Sequence, residues 1–136
     1  MNKVVKEFPP NYERIIQYFP VKNKKNIIFT YGNKIYNPSN GYIPEHLMRH
    51  EETHTKQQKE HPGGVNGWWE QYYRDAKFRF AQELEAYRNQ YQYVKETESR
   101  EFRRMILNNI SKDLSSEIYG RLTTKKIARK LIKGET

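Results

Sequence analysis

The 136-residue chain has no cysteine. That excludes disulfides, thiolate metal sites and cysteine nucleophiles, so any transition-metal site must be built from His and carboxylate. It suits a reducing compartment. No apolar run approaches the ~18 residues of a membrane span, and Met1 to Lys6 lead into Phe8-Pro9-Pro10 rather than an apolar signal core. The expectation is a soluble cytoplasmic protein without membrane contact. There is no internal repeat and no low-complexity segment. At 35% apolar residues, the chain can bury one core and has no room for a separate substrate domain, which makes residues 1–136 a single domain.

Basic charge, by contrast, is abundant, with a formal net charge of +9. Its distribution is uneven. Residues 1–43 carry 7 Lys/Arg against 2 Asp/Glu, residues 44–98 carry 8 against 10, and residues 99–136 carry 10 against 4. The basic flanks are a solvated surface or a face for nucleic acid or an acidic partner. The acidic centre suits a bound dication better than a nucleic-acid groove.

That centre contains His50-Glu51-Glu52-Thr53-His54, a HExxH pentapeptide. Histidines four apart in a helix are about 40° apart around the axis and ~6 Å along it, so both imidazoles reach one metal ion. Glu51 falls beside the ion's open position, where a carboxylate can take a proton from water, the arrangement of a zinc hydrolase. Pro44 and Glu45 suit the first turn of the helix, which runs to about Lys59 before His61-Pro62-Gly63-Gly64 breaks it. Its inward stripe, Ile43, Leu47, His50, Glu51, His54 and Gln58, is unusually polar, and a metal would help to hold it. His46 shares the stripe but is ~12 Å along the axis from His54, too far to share one ion. It reads as a residue behind the ligands or on the surface, and His61 as a loop residue.

Upstream, Pro9-Pro10-Asn11 precedes a short helix with Ile15, Ile16 and Phe19, ended by Pro20, with Asn11 as its candidate cap. A basic connector, Lys22 to Asn26, leads into Ile27-Ile28-Phe29-Thr30-Tyr31. Gly32-Asn33 then turns the chain into Lys34-Ile35-Tyr36, so residues 27–36 read as a β-hairpin. It is either scaffold or a strand edge that receives an extended peptide. Downstream, Trp69, Tyr72 and Tyr73 have the spacing of a buried helical face; a groove wall is the other reading, and a base-stacking platform lacks a local basic groove.

Asp75 caps a long helix to about Lys95 whose apolar stripe is Phe80, Leu84, Tyr87, Tyr91 and Val94. Glu83 falls inside that stripe, whereas Glu85 points to the wet face. A carboxylate among apolar neighbours must be paired or metal-bound, and zinc needs a third protein ligand; Glu83 meets both demands unless it pairs with a buried Arg. Ala86 is small enough to let another helix approach closely. Beyond it, Phe102, Met105, Ile106, Asn109 and Ile110 predict a covering helix, Ser115 to Leu122 an irregular linker, and Thr123 a cap for a last helix with Ile127, Ala128, Leu131 and Ile132 inward.

HEETH followed 29 residues later by Glu83-Leu84-Glu85-Ala86 resembles the gluzincin metallopeptidases, with HExxH and then a Glu-x-x-Ala helix. The resemblance implies His50, His54 and Glu83 as Zn2+ ligands and Glu51 as general base. It also implies a minimal core in which a small hairpin or sheet packs on the motif helix and the ligand helix. With the C-terminal helices as cover, the expected fold is α+β and mainly helical. Tyr31-Gly32, Ile35-Tyr36-Asn37-Pro38, HEETH with Gln58, Gly67-Trp68-Trp69 and Gln82 to Tyr87 are similar to a group of small phage or prophage proteins of metallopeptidase type, which implies a viral setting. One departure stands out. Where many gluzincins have an Asp four residues after the ligand Glu, this chain has Tyr87, which could accept a ring N–H from a ligand histidine or stabilise the oxyanion. Tyr91 and Tyr73 are further candidates for the oxyanion. The expected activity is zinc-dependent hydrolysis of a peptide or protein. A basic helical binding protein with a structural or vestigial zinc site is the competing expectation.

Overall fold

The computed structural model describes residues 2–22, 24 and 26–134. In chain order, the elements are β1 (Lys3–Val5), α1 (Tyr12–Tyr18), β2 (Phe29–Tyr31), β3 (Lys34–Tyr36), α2 (Glu45–Glu60), α3 (Gly64–Arg74), α4 (Ala76–Thr97), α5 (Arg100–Leu114), a 3-10 turn (Glu117–Tyr119) and α6 (Lys125–Ile132). The fold is α+β and mainly helical.

The hairpin forms at the expected turn, with Phe29 facing Tyr36, Thr30 facing Ile35 and Tyr31 facing Lys34, but it is shorter than residues 27–36: Ile27 and Ile28 lie outside the strand. Gly32, at φ +64°, takes the first central position of the two-residue turn, where a side chain would be strained. A third strand is added that local pattern does not reveal: β1 pairs with β3 in parallel, in the order β1-β3-β2. Three residues are too few for a readable alternation, and the pairing joins chain segments about thirty residues apart. Of the basic connector, Asn23 and Lys25 lie outside the described residues.

Helix ends follow local chemistry with two corrections. Pro44 precedes α2, with Glu45 in its first turn, and the Asp75 side chain accepts from Phe78 N at 3.0 Å to start α4. Asn11 occupies the cap position of α1 but makes no cap bond; its Nδ2 donates to Tyr73 Oη at 2.7 Å instead, because the packed phenol offers a buried acceptor. The cap of α6 is Thr124 rather than Thr123, its hydroxyl accepting from Ile127 N at 3.2 Å.

Two apolar clusters flank the centre. One gathers Ile15, Phe19, Val21, Phe29, Tyr36 and the four aromatics Trp68, Trp69, Tyr72 and Tyr73. The other gathers Tyr87, Tyr91 and Val94 from α4 with aliphatic residues of α5 and α6. The buried face of α5 is Ile106, Leu107, Ile110, Ser111 and Leu114. It is rotated from the expected stripe, leaving Met105 and Asn109 exposed. Likewise, α6 buries Ala128 and Ile132 while Ile127 is 51% exposed. Each helix packs on a neighbour already in place, and that neighbour selects which of two adjacent apolar rows turns inward.

Candidate metal centre

Helix α2 lies most extensively against α4, and every side chain it buries is polar: His50, Glu51, Thr53, His54, Gln57 and Gln58. The four-residue step sets both motif imidazoles on one face, with their Nε2 atoms 3.2 Å apart. Glu83, 4% exposed, reaches across from α4. Its Oε1 is 3.0 Å from His50 Nε2 and 3.2 Å from His54 Nε2. These three buried residues could hold a metal ion. Among the described residues Glu83 pairs with no Arg or Lys. The buried Arg79 instead donates to the carbonyls of Ile118, Tyr72 and Tyr73.

The surrounding hydrogen bonds set the tautomers. Gln57 Nε2 donates to Gln82 O at 2.9 Å and Glu85 Oε1 at 2.7 Å, so its Oε1 must face His54 Nδ1, 2.8 Å away. An amide oxygen only accepts, and His54 therefore carries a proton on Nδ1. On the other histidine, Gln90 Oε1 lies 3.0 Å from His50 Nδ1, while Gln90 Nε2 lies 2.9 Å from His46 Nδ1. With both Nδ1 atoms protonated, neutral imidazoles turn two bare Nε2 lone pairs and a carboxylate oxygen toward one point. Such a cluster of acceptors requires a cation or a proton at its centre.

The electrostatics agree. Burial works against charge on His54, but the Glu83 carboxylate and the hydrogen bond to it raise its pKa to about 9. Burial pushes Glu83 upward, and the charge of His54 with the hydrogen bond it donates more than reverses this, holding it below the ordinary carboxylate range. Metal-free, the site therefore fills its centre with a proton. A dication would take over that role and offset the two buried carboxylates, Glu51 and Glu83.

Glu51 stands outside this trio, with Oε2 3.9 Å from His50 Nε2. Its Oε1 accepts from Thr30 Oγ1 at 2.8 Å, which turns the carboxylate toward the cleft. That cleft, of about 160 Å³, is lined by His50, Glu51, His54 and Glu83 together with apolar residues such as Ile15, Phe19 and Ile118. Trp69 and Tyr72 also line it, so the aromatic face serves core and cleft together.

Tyr87 packs its ring edge-on against His50, centroids 4.5 Å apart, and does not line the cleft. Gln90, not Tyr87, takes the hydrogen bond of the His50 ring. The Tyr87 ring also lies edge-on to that of Tyr119, centroids 6.5 Å apart. Tyr73 bonds to Asn11, and Tyr91 sits in the second cluster. His46 stands behind Gln90, and His61 ends α2 with Nε2 2.8 Å from Gln71 Oε1.

Three contributors were not visible in the motif. Tyr72 donates to Glu83 Oε2 at 2.6 Å, occupying the carboxylate oxygen that the histidines leave free. Gln90 lies two turns after Glu83 inside an apolar stripe, and a polar residue there is the same signal that picked out Glu83. Tyr119, from the segment expected to be an irregular linker, lines the cleft. Its phenol is raised by burial and by the charge of Glu83, with Asp113 and Glu51 adding to it. Two features fix its approach. Arg79 Nε holds the Ile118 carbonyl at 2.9 Å, and Gly120 at φ +81° turns the chain where a Cβ would lie 3.0 Å from that of Ala76. No family model, curated protein or solved structure matches the chain.

Proposed function

We propose that the chain is a zinc-dependent metallopeptidase of the gluzincin type, with Glu51 as general base. The observation that carries this reading is the convergence of His50 Nε2, His54 Nε2 and Glu83 Oε1 on one buried point with Glu51 beside it at the cleft. Two imidazoles and one carboxylate suit zinc, and three protein ligands leave a position open, as catalytic sites require. Bound there, zinc would polarise a carbonyl and lower the pKa of water.

The remaining roles fall to side chains. His50 and His54 are kept in the binding tautomer by Gln90 and Gln57, and Glu83 is steadied by Tyr72. Glu51, aimed by Thr30, takes a proton from water and returns it to the leaving amine. Tyr119 is the phenol best placed to donate to the developing oxyanion, and Tyr87 supports it by edge-on ring packing. The substrate is a peptide or protein, since the cleft has strand backbone and apolar walls beside the ligands.

Metal analysis combined with a peptide-library cleavage assay tests this reading. One zinc per chain is expected in the wild type and none in His50→Ala. Glu51→Gln should keep the metal and lose about 10²–10⁴-fold in turnover. A metal-free wild type, or undiminished hydrolysis by Glu51→Gln, overturns the reading. One observation favours a second reading: α6 exposes Lys125, Lys126, Arg129 and Lys130 together. Polyanion binding that weakens steeply with salt and ignores chelator would support a basic binding protein instead.

A further inference from the structure

An extended peptide crossing the ligand group would seek backbone partners on the free edge of β2, because β3 occupies the other side. Along such an edge, alternate residues direct both backbone groups outward. Thr30 and Gly32 share that direction, and part of the edge is already taken. Gln58 Nε2 donates to Thr30 O at 2.9 Å, and Gly32 N donates to Gln58 Oε1 at 2.7 Å. One side-chain amide thus imitates the peptide group of a neighbouring strand. Trp69 Nε1 adds a second donor to Thr30 O at 3.2 Å. Gln58 is 1% exposed, and displacing it would strand a buried amide without partners.

The blockage starts level with the chemistry, since the Thr30 hydroxyl touches the Glu51 carboxylate. Toward Ile28 the cleft continues along Val21, Ile27 and Ile28, all lining residues. Val21, Ile27 and Phe29 also line an adjoining hollow of about 280 Å³. The cleft is closed at its Gln58 end and extended at its Ile28 end.

Resting on the metallopeptidase reading, we infer that Gln58 is a specificity-determining residue that confines the substrate to one side of the metal group. The substrate class is a peptide that ends within about one residue of the scissile bond on the Gln58 side, one strand rise of ~3.3 Å, and carries apolar side chains on the Ile28 side. That is exopeptidase-like trimming rather than cleavage within a long chain.

The test uses end-capped apolar peptides lengthened one residue at a time from either terminus. Affinity for the zinc-loaded protein is read by calorimetry, and cleavage by mass spectrometry in parallel. Affinity should rise several-fold with extension at one terminus and stay flat or fall at the other. Gln58→Ala should make both termini responsive. Gln58→Met, which fills the same space without hydrogen bonds, should keep the one-ended profile and so separates opening of the edge from loss of its bonds. Equal gains at both termini in the wild type overturn the inference, as does a Gln58→Ala profile identical to the wild type. If Gln58→Ala does not fold, the wild-type profile decides. One-ended binding without cleavage would leave the cleft assignment standing and remove the peptidase reading; cleavage with symmetric binding would do the reverse. No binding of any peptide overturns both.

Discussion

Helices α2 and α6 are held in place by opposite means. Helix α6 buries Ala128 and Ile132 and turns its lysines and arginines to solvent, so the withdrawal of apolar surface from water is its main support. Helix α2 buries six polar side chains and no apolar one. Its burial gains little unless each of those groups is satisfied, and here they are, by Thr30, Gln82, Glu83, Glu85, Asn89 and Gln90. A covering helix can rely on area, whereas a helix with a wholly polar buried face relies on complete pairing.

The contrast breaks most sharply at Glu83. Glu83→Ala removes the shared partner of two buried imidazoles and should cost about 3–5 kcal/mol in urea unfolding, together with all metal binding. If metal stoichiometry survives, Glu83 is not a ligand. Ile132→Ala, at 3% exposure in α6, should cost about 2–5 kcal/mol. That loss should be the same with and without chelator, and a chelator-dependent loss would mean that the two regions are not independent. Gln90→Leu, which leaves the ligands in place but frees the His50 ring, should weaken metal affinity about 10–100-fold; competition with a chromophoric chelator would read it.

The pH dependence sharpens the same comparison. In the metal-free protein, His54 is raised from 6.5 to about 9. Its protonated form therefore contributes stability that is fully present below pH 6.5 and lost as pH rises through about 9. Chelator-treated protein should accordingly lose stability across that interval in denaturant titrations. Metal-loaded protein, whose imidazoles are already unprotonated, should show no such loss there. The smallest effect is expected at Ile127, 51% exposed on α6. Ile127→Ser should change stability by no more than about 0.5 kcal/mol, which thermal melts would check.

The convergence of His50, His54 and Glu83 was legible because helical geometry converts sequence spacing into direction. His50 and His54 share a face, Glu83 stands in an apolar stripe, and a buried carboxylate needs a partner; no long-range information enters those steps. The helix boundaries at Pro44, Asp75 and the His61-Pro62-Gly63 break were legible for the same reason. Helix faces in the C-terminal region were less so. Ile127 and Met105 are as apolar as their buried neighbours, and only the packed partner selects between adjacent rows.

Local spacing thus dictated the hairpin, the motif helix and which three side chains converge, since each depends on contacts within a turn or along one helix. Folding in three dimensions supplied what surrounds them. It brought Gln90 behind His50, Tyr72 onto the second oxygen of Glu83, Tyr119 into the cleft on a segment pinned by Arg79, and the Gln58 amide onto the edge of β2. Each of these pairs residues from different elements, and its partner is set by packing that no local pattern encodes.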